Sequence, residues 1–513
     1  MTFDRRKFLQ STAAGSLAAS SLFNLANSAE PGVVRWLMAE NTTGNWDPSA
    51  NTTLSNTFCE FLAYDYLFTY PMVPGTDVTK PVLSLAQSYK IVDPYTVEIE
   101  LRKGVRFHDG AELIAEDVKA SFEHYSRPKI ARAYYGATLQ VKVTGKHSVV
   151  INSKDAGVTI SMFMFLQVYA PILRAKDVAN PKALQTHMNG TGPFRFAGQE
   201  QSSSIFEANP TYWGTSKTKI KRVIVRHVPD SNARVLALLS GEAEIIERLE
   251  PEQYSSIKQK PGFSVSNVKS VENKFLHFRN NRKPFDDWRV RRAAAAAIDR
   301  DAILSIAGEA GYAADCLVTP MKLGYIAQPN YGKFDPAECQ RLLAAAGYPN
   351  GKGMPEIEYI TSTGFYPKTK DYGEAITAML QAQGFPVKLT VMEVAAWNDR
   401  YYNPNAGHMI DGGWCTDTPD PDIQLWLMYY SKIGLVTGAN DPELDAVLLK
   451  ERNAPTIEIR RKVLQTEALP LIAQKMPNLV LFNSRMLHAM TGKLKGVSIT
   501  ASSQVDFTKA SMG

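Results

Sequence analysis

Apolar and polar positions follow two periods along the chain, and the two periods alternate from one end to the other. A period of two, typical of strands, predicts strands over residues 95–101, 223–228, 356–360 and 387–391. Other segments have apolar residues at helical spacing, and several of them begin at acidic residues or proline or end at glycine. This pattern predicts helices over residues 115–125, 232–239, 290–306, 336–346 and 372–383. Because strands alternate with helices, the pattern predicts an α/β fold.

Residues 1–29 have a different pattern. The pair Arg5-Arg6 precedes a short stretch of Ala, Ser, Gly and Leu, and small residues follow at positions 26–29. This order predicts a twin-arginine signal peptide and an exported, periplasmic product. An amphipathic helix is the alternative, although no face of the stretch is charged. The apolar stretch is interrupted by polar residues and is shorter than the roughly 20 apolar residues that span a membrane. No cysteine lies at the expected cleavage point, so a lipid anchor there is not indicated.

Length and charge limit the function classes further. Residues 30–513 are too many for one hydrophobic core and predict two or three domains. The formal net charge of +6 is small for 513 residues, and no dense Lys/Arg block is interleaved with aromatic residues. The closest run, residues 289–292, opens a predicted helix and is expected to face solvent. The sequence therefore predicts no nucleic-acid partner.

Searches for catalytic and metal-binding motifs find no match. The chain has no GxSxG, HExxH, Walker or GxGxxG motif, and its eight histidines are scattered. Cys59, Cys316, Cys339 and Cys415 show no CxxC spacing, and three full disulfide pairings remain open. We therefore predict a protein that is not an enzyme and has no cofactor and no metal site.

Seven segments, in order, resemble one known family. They are residues 101–110 with 115–118, 190–194, 209–214, 233–243, 284–291, 413–417 (Gly-Trp-Cys-Thr-Asp) and 420–422. Together they resemble the peptide- and nickel-type family of extracellular solute-binding proteins, which includes dipeptide- and oligopeptide-binding proteins of ABC importers. The resemblance implies a small-molecule or short-peptide ligand, the membrane permease of an ABC importer as partner, and a monomer.

The resemblance also implies an architecture, a two-lobed periplasmic-binding-protein fold with a hinge and an extra subdomain in the first lobe. Lobe I would comprise residues 30–56, 190–271 and 483–513, the extra subdomain residues 57–189, and lobe II residues 272–482. The hinge would lie at the two chain crossings, and the ligand would be enclosed between the lobes.

In lobe II the resemblance points to a site centred on Trp414, Cys415, Thr416 and Asp417. In peptide-binding relatives the acid matched by Asp417 holds the α-ammonium group of the ligand, a strong charge-assisted hydrogen bond in a closed cleft. The alternative is an acid that accepts from backbone N–H groups of its own loop. Trp414 and Trp397 match positions that line the side-chain pocket, and either could instead belong to the core.

In lobe I, Thr52 and Leu54 match positions where relatives present an edge strand to a peptide backbone. The sequence departs from the pattern of oligopeptide binders at Asp411. Those proteins carry an arginine three residues before the tryptophan matched by Trp414. An acid in that place, if it faces the cleft, favours a more cationic ligand. We therefore expect a short peptide or an amine-bearing amino-acid derivative such as an opine.

Other functions remain open at this point. The same family also carries sugars, nickel complexes and haem, so the ligand class is not fixed by the resemblance. An exported carboxylate-dependent hydrolase could use Asp411, Asp417, Asp420 and Asp422. A metal- or calcium-binding module is less consistent with the sequence, because the DxDxDG spacing is absent. A second role in presenting a ligand to a sensor is also compatible with the sequence.

Overall fold

The structure is a computed structural model that describes residues 31–50, 53–70, 79–126, 139–166, 169–200, 202–416 and 418–513. The predicted signal peptide lies outside these residues. The strands are β1 (Val33–Met38), β2 (Phe68–Thr69), β3 (Val82–Leu83), β4 (Ala86–Asp93), β5 (Thr96–Leu101), β6 (Gln140–Gly145), β7 (Ser148–Asn152), β8 (Phe194–Glu200), β9 (Ser203–Ala208), β10 (Arg222–His227), β11 (Ile245–Glu247), β12 (Phe263–Phe278), β13 (Gly311–Tyr312), β14 (Ile357–Thr363), β15 (Val387–Glu393), β16 (Met409–Trp414), β17 (Asn478–Thr491), β18 (Leu494–Lys495), β19 (Ser498–Ile499), β20 (Val505–Asp506) and β21 (Ser511–Met512).

The helices are α1 (Leu54–Ala63), α2 (Ala115–Tyr125), α3 (Ile160–Leu166), α4 (Ala175–Val178), α5 (Pro181–Thr186), α6 (Ser231–Ser240), α7 (Pro251–Lys258), α8 (Trp288–Ala297), α9 (Arg300–Ala307), α10 (Pro336–Ala345), α11 (Thr369–Ala382), α12 (Val394–Tyr401), α13 (Asp422–Tyr429), α14 (Pro442–Arg452), α15 (Ile457–Val463) and α16 (Leu469–Lys475). None of the helices in the described part of the chain is long and apolar enough to cross a membrane.

One large mixed sheet runs through the molecule. Its strand order is β15-β14-β16-β12-β17-β11-β1-β10-β9-β8, with β13 paired to β17. The long strands β12 and β17 are antiparallel and lie in the middle of this order. A separate four-stranded antiparallel sheet, β4-β5-β7-β6, lies within the predicted extra subdomain.

Two principal apolar cores lie on either side of the central strands. Most residues of the first core come from positions 34–245 and 494–510, and most residues of the second come from positions 271–482. This division is what two lobes joined by crossing strands would produce.

The two crossing strands are joined by hydrogen bonds on both sides of an irregularity. Residues 263–269 of β12 pair with residues 485–491 of β17, and pairing resumes at Asn273 with Asn483. Between them, the backbone N–H of Val271 donates to Ala501 instead. The predicted lobe boundaries, 271/272 and 482/483, fall at this irregularity, and the exact division into lobes stays a prediction.

Most elements predicted from periodicity are confirmed, for example β5, β15, α2 and α10. The single helix predicted over residues 290–306 is wrong, because the chain forms α8 and α9 separated at Ile298. Ile298 is extended, and the side chain of Asp299 accepts hydrogen bonds from the backbone of Asp301 and Ala302. A new N-cap therefore interrupts an otherwise continuous apolar pattern.

The expectation that residues 289–292 face solvent is also wrong at two positions, Val290 and Arg291. Arg291 is buried, and its guanidinium donates to backbone carbonyls of Phe285, Lys475 and Met476. This arginine therefore joins α8 to the end of α16, and its charge is satisfied inside the protein.

Candidate ligand-binding cleft

A cavity of about 510 Å³ lies between α1 on one side and α12, α13 and β16 on the other. Its walls are mainly aromatic and aliphatic. The aromatic residues are Tyr169, Phe365, Tyr366, Trp397, Tyr401, Tyr402 and Trp414. The aliphatic residues are Leu54, Ile423, Leu427, Ile433 and Leu435. A cavity of this size and composition suits a small organic ligand.

The charged groups on the described walls are all acidic. Glu40 and Glu272 line the cavity, whereas no lysine, arginine or histidine belongs to the described lining. Aromatic faces and carboxylates both attract cations. The cavity can therefore hold a ligand that combines a cationic group with an apolar body.

Glu40 and Glu272 enter the cavity from different elements. Glu40 follows β1, and one of its oxygens accepts from the backbone N–H of Ser55 at 3.2 Å and its hydroxyl at 3.3 Å. Burial raises the pKa of Glu40. Glu272 lies on β12 at the irregularity, and its side chain is 2% exposed. Its Oε2 lies 3.5 Å from Nη2 of Arg248 and accepts no hydrogen bond from the described residues.

Three residues of the predicted site follow one another in the wall. Trp414 ends β16, and Cys415 and Thr416 follow it along the cavity. The indole Nε1 of Trp414 is buried and finds no acceptor in the described part of the chain. Thr416 is held from behind by Lys322, whose Nζ donates to its carbonyl at 3.1 Å.

Trp397 belongs to both the core and the cavity wall. It is buried on α12, and its Nε1 donates to the backbone carbonyl of Asp411 at 3.1 Å. Its ring packs against Tyr401 with centroids 4.8 Å apart, and it contacts Tyr366 edge-on at 6.0 Å. These contacts fix the aromatic wall against β16.

Asp411 does not line the cavity. It is fully buried, and its Oδ2 accepts hydrogen bonds from Tyr359 at 3.0 Å and Thr361 at 2.8 Å. Burial raises its pKa to about 6, against the opposing effect of Lys274. Because side chains alternate along a strand, a residue three positions before Trp414 points to the opposite face. The condition that Asp411 faces the cleft is therefore not met.

The lobe I part of the predicted site differs from the expected edge strand. Leu54 lines the cavity, but it is the first residue of α1, which is capped by the side chain of Thr53. A helical residue does not offer the edge of a sheet to a peptide. Thr52 and Asp417 lie outside the residues that the structure describes.

Several wall residues were not predicted from the sequence. They are Glu40, Glu272, Phe365, Tyr366 and Tyr401. The adjacent tyrosines 401 and 402 are a visible aromatic pair, and Glu272 stands next to a predicted chain crossing. These were the available signals, but neither indicates a cavity by itself.

Comparison with known proteins identifies the family. The profile of the family "Bacterial extracellular solute-binding proteins, family 5 Middle" matches residues 80–434. The chain belongs to this family. Its members are solute-binding proteins of ABC importers, which confirms the resemblance seen in the sequence.

Two relatives and one solved structure illustrate the similarity of this solute-binding protein. The glutathione-binding protein GsiB of Pectobacterium atrosepticum is 25% identical, and the alignment covers 100% of this chain and 99% of the relative. The dipeptide-binding protein of Escherichia coli is 25% identical, with 94% and 93% covered. The Helicobacter pylori protein DppA, solved with the peptide STSA, has a TM-score of 0.80 at 23% identity, with 94% and 98% covered. The last comparison confirms the two-lobed fold.

Proposed function

We propose that this solute-binding protein captures a short peptide or an amine-bearing amino-acid derivative in the periplasm and delivers it to the permease of an ABC importer. The observation that supports this ligand class is the charge of the cleft. Two carboxylates and seven aromatic rings line it, and its described walls contain no cationic side chain. Glu272 has Arg248 as its ion-pair partner, whereas burial raises the pKa of Glu40 by disfavouring its charged form. An ammonium group on the ligand would therefore be favoured chiefly beside Glu40, where it would stabilise the carboxylate.

Three further points support the proposal. The relatives named above are a glutathione-binding and a dipeptide-binding protein, and both of those ligands carry an amine. The twin arginines near the start of the sequence support export of the folded protein. In the sequence, the predicted acid Asp417 comes directly after Thr416, a residue of the cavity wall, and we propose it as a third carboxylate of the site.

The rival hydrolase hypothesis has less support. Asp420 accepts a bidentate pair of hydrogen bonds from Arg460, and Asp422 accepts from Arg452 at 3.2 Å. Both acids are buried and do not line the cavity. They therefore stabilise the fold of lobe II and are not a pair of carboxylates poised around a substrate. A sugar, opine or metal complex remains an alternative cargo for the same transport role.

The proposal is tested by calorimetry with glutathione, alanyl-leucine and octopine, each compared with its N-acetylated form where one exists. We expect at least one amine-bearing compound to bind, and N-acetylation to weaken binding by about ten-fold or more, since charge-assisted hydrogen bonds contribute about 1.5–3 kcal/mol. The variant Asp417→Asn should lose a similar factor. Asp399→Asn, exposed on α12, is the matched control. Equal binding of the free and acetylated forms would contradict the proposal.

A further inference from the structure

A second, much smaller cavity lies next to the cleft. Its volume is about 20 Å³, and its wall includes Arg248, Glu272, Lys274, Tyr366 and Arg485. Glu272 and Tyr366 line both cavities. These two side chains therefore form part of the boundary between the aromatic cleft and a compartment whose wall contains three cationic residues.

Lys274 is the most unusual group in this compartment. It lies on β12, is 1% exposed, and its Nζ has no hydrogen-bond acceptor among the described residues. The ammonium instead lies 3.2 Å from the ring centroid of Tyr366 and 5.9 Å from that of Tyr372. A lysine has three donors to satisfy, and burying them without acceptors is costly. Burial accordingly lowers the pKa of Lys274 to about 7.

The acids nearby are occupied by other groups. Glu272 has Arg248 as its ion-pair partner at 3.5 Å, and Asp411 accepts from two hydroxyl groups of β14. Arg248 also stacks on Phe365, with its Cζ 4.5 Å from the ring centroid. The compartment and its surroundings thus hold three cations, Arg248, Lys274 and Arg485, and two acids.

Tyr366 separates Lys274 from the cleft, and its position is only weakly fixed by hydrogen bonding. Its hydroxyl donates to the carbonyl of Gly413 at 3.3 Å, a long hydrogen bond. The close packing depends on glycine, because a Cβ at position 413 would lie 2.8 Å from the Tyr366 ring and 2.9 Å from Cδ of Glu272. Tyr366 lines both cavities and contacts Lys274, so any opening between the cavities beside Lys274 requires its ring to move.

We infer that Lys274 and Arg248 form an anion subsite that accepts the carboxylate of a zwitterionic ligand when Tyr366 turns aside. The inference rests on the proposed function, because it assigns the second charged group of the same ligand. It also accounts for the missing arginine at position 411, since Lys274 on the adjacent strand β12 supplies positive charge close to β16. The ligand would lie with its ammonium toward the acids of the cleft and its carboxylate toward the hinge.

Calorimetry with alanyl-leucine and its C-terminal amide tests the subsite. For the wild-type protein we expect the amide to bind about ten-fold or more weakly than the acid. Lys274→Met should bind the two forms within about two-fold of one another. Lys269→Met, an exposed lysine on the same strand, should behave as wild type. Equal wild-type affinities for acid and amide, or a full preference for the acid in Lys274→Met, would overturn the inference.

Methionine preserves the length of the side chain and removes an unsatisfied charge, so Lys274→Met should unfold at the same or a higher urea concentration than wild type. If it does not fold, Arg248→Gln is the second variant. It must also reduce the preference for the acid, and an unchanged preference would overturn the role of Arg248.

Anomalous diffraction from crystals soaked in bromide tests whether a free anion binds at the subsite. This experiment does not require a peptide ligand. If none of glutathione, alanyl-leucine and octopine binds, the proposed ligand class fails, whereas an anomalous peak beside Lys274 and Arg248 that is absent in Lys274→Met would still support an anion subsite. No peak would overturn it in that case. A peak together with equal binding of acid and amide would show a site for free anions only, which contradicts the assignment to the ligand.

Discussion

The carboxylate of Asp411 is buried in the predicted lobe II, where the hydroxyl groups of Tyr359 and Thr361 donate to it. Its Oδ1 has no hydrogen-bond donor among the residues that the structure describes. The group is therefore incompletely satisfied, and burial raises its pKa to about 6 from the usual 3.8. At the residue scale, an acid that the sequence alone suggests for the ligand site is instead buried outside the cavity lining, with a raised pKa.

This shift predicts a pH dependence of stability. Between about pH 4 and pH 6 the unfolded chain has lost the proton of Asp411 while the folded protein retains it, so the unfolding free energy falls as pH rises through this window. The full effect is about 3 kcal/mol. In Asp411→Asn that contribution should be absent, as measured by urea denaturation at several pH values. Asp399→Asn should keep the wild-type slope, and an unchanged slope in Asp411→Asn would refute the assignment.

At the element scale, the described residues between β16 and α13 are held by contacts from elsewhere in the predicted lobe II. Lys322 donates to the carbonyls of Thr416 and Thr418, and the N–H of Leu323 donates to Pro419 at 2.7 Å. At the next residue, Asp420 pairs with Arg460. Thr416 and residues 418–420 are thus held in place by contacts with more distant parts of the chain.

Of these anchoring residues, Arg460 is expected to be the most sensitive to mutation, because it pairs with two buried acids, Asp420 and Glu451. Arg460→Met leaves both carboxylates without their partner, and we expect the unfolding free energy to fall by about 3–5 kcal/mol. Urea denaturation measures this change. Arg461→Met, its half-buried neighbour, should stay within about 0.5 kcal/mol of wild type. Comparable stabilities for the two variants would contradict the role of this ion-pair cluster.

The limits of sequence-based prediction also show at the element scale. Periodicity predicted β15 and α10 because each has its own apolar pattern and its own end signals. It missed the break at Ile298 because apolar residues continue on both sides. Trp414 was found through a family motif, whereas Glu272 and Lys274 were not found. Their roles arise from the order of strands in the sheet, where β12 lies between β16 and β17.

At the scale of the whole molecule, contacts outside the central strands connect the two predicted lobes. Lys368, just before α11, lies 2.8 Å from Glu252 on α7. Nearby, the guanidinium of Arg248 packs on Phe365. Such contacts would stabilise a closed arrangement of the predicted lobes, to which a ligand bound between them would add its own contacts.

The ion pair between Lys368 and Glu252 allows a direct test of this idea. An exposed ion pair contributes about 0–1 kcal/mol, so Lys368→Gln should weaken binding of an identified ligand by at most about five-fold, with a smaller effect at high salt. Lys370→Gln, which removes a pair with Glu374 on the same helix, should leave the affinity unchanged. Equal effects of the two variants would show that the contact does not favour closure.

The irregularity between β12 and β17 has a mechanical consequence. If the lobes rotate about it, each atom moves in proportion to its distance from that axis, as on a lever arm. Glu272 lies at the irregularity itself and would scarcely move, whereas Leu427 on α13 lies in the predicted lobe II, further along the chain from that axis, and would move with the lobe. Charged groups at the pivot would then recognise the ligand while the protein is still open. The apolar walls would control how long the ligand stays, so arrival and release could evolve through different residues.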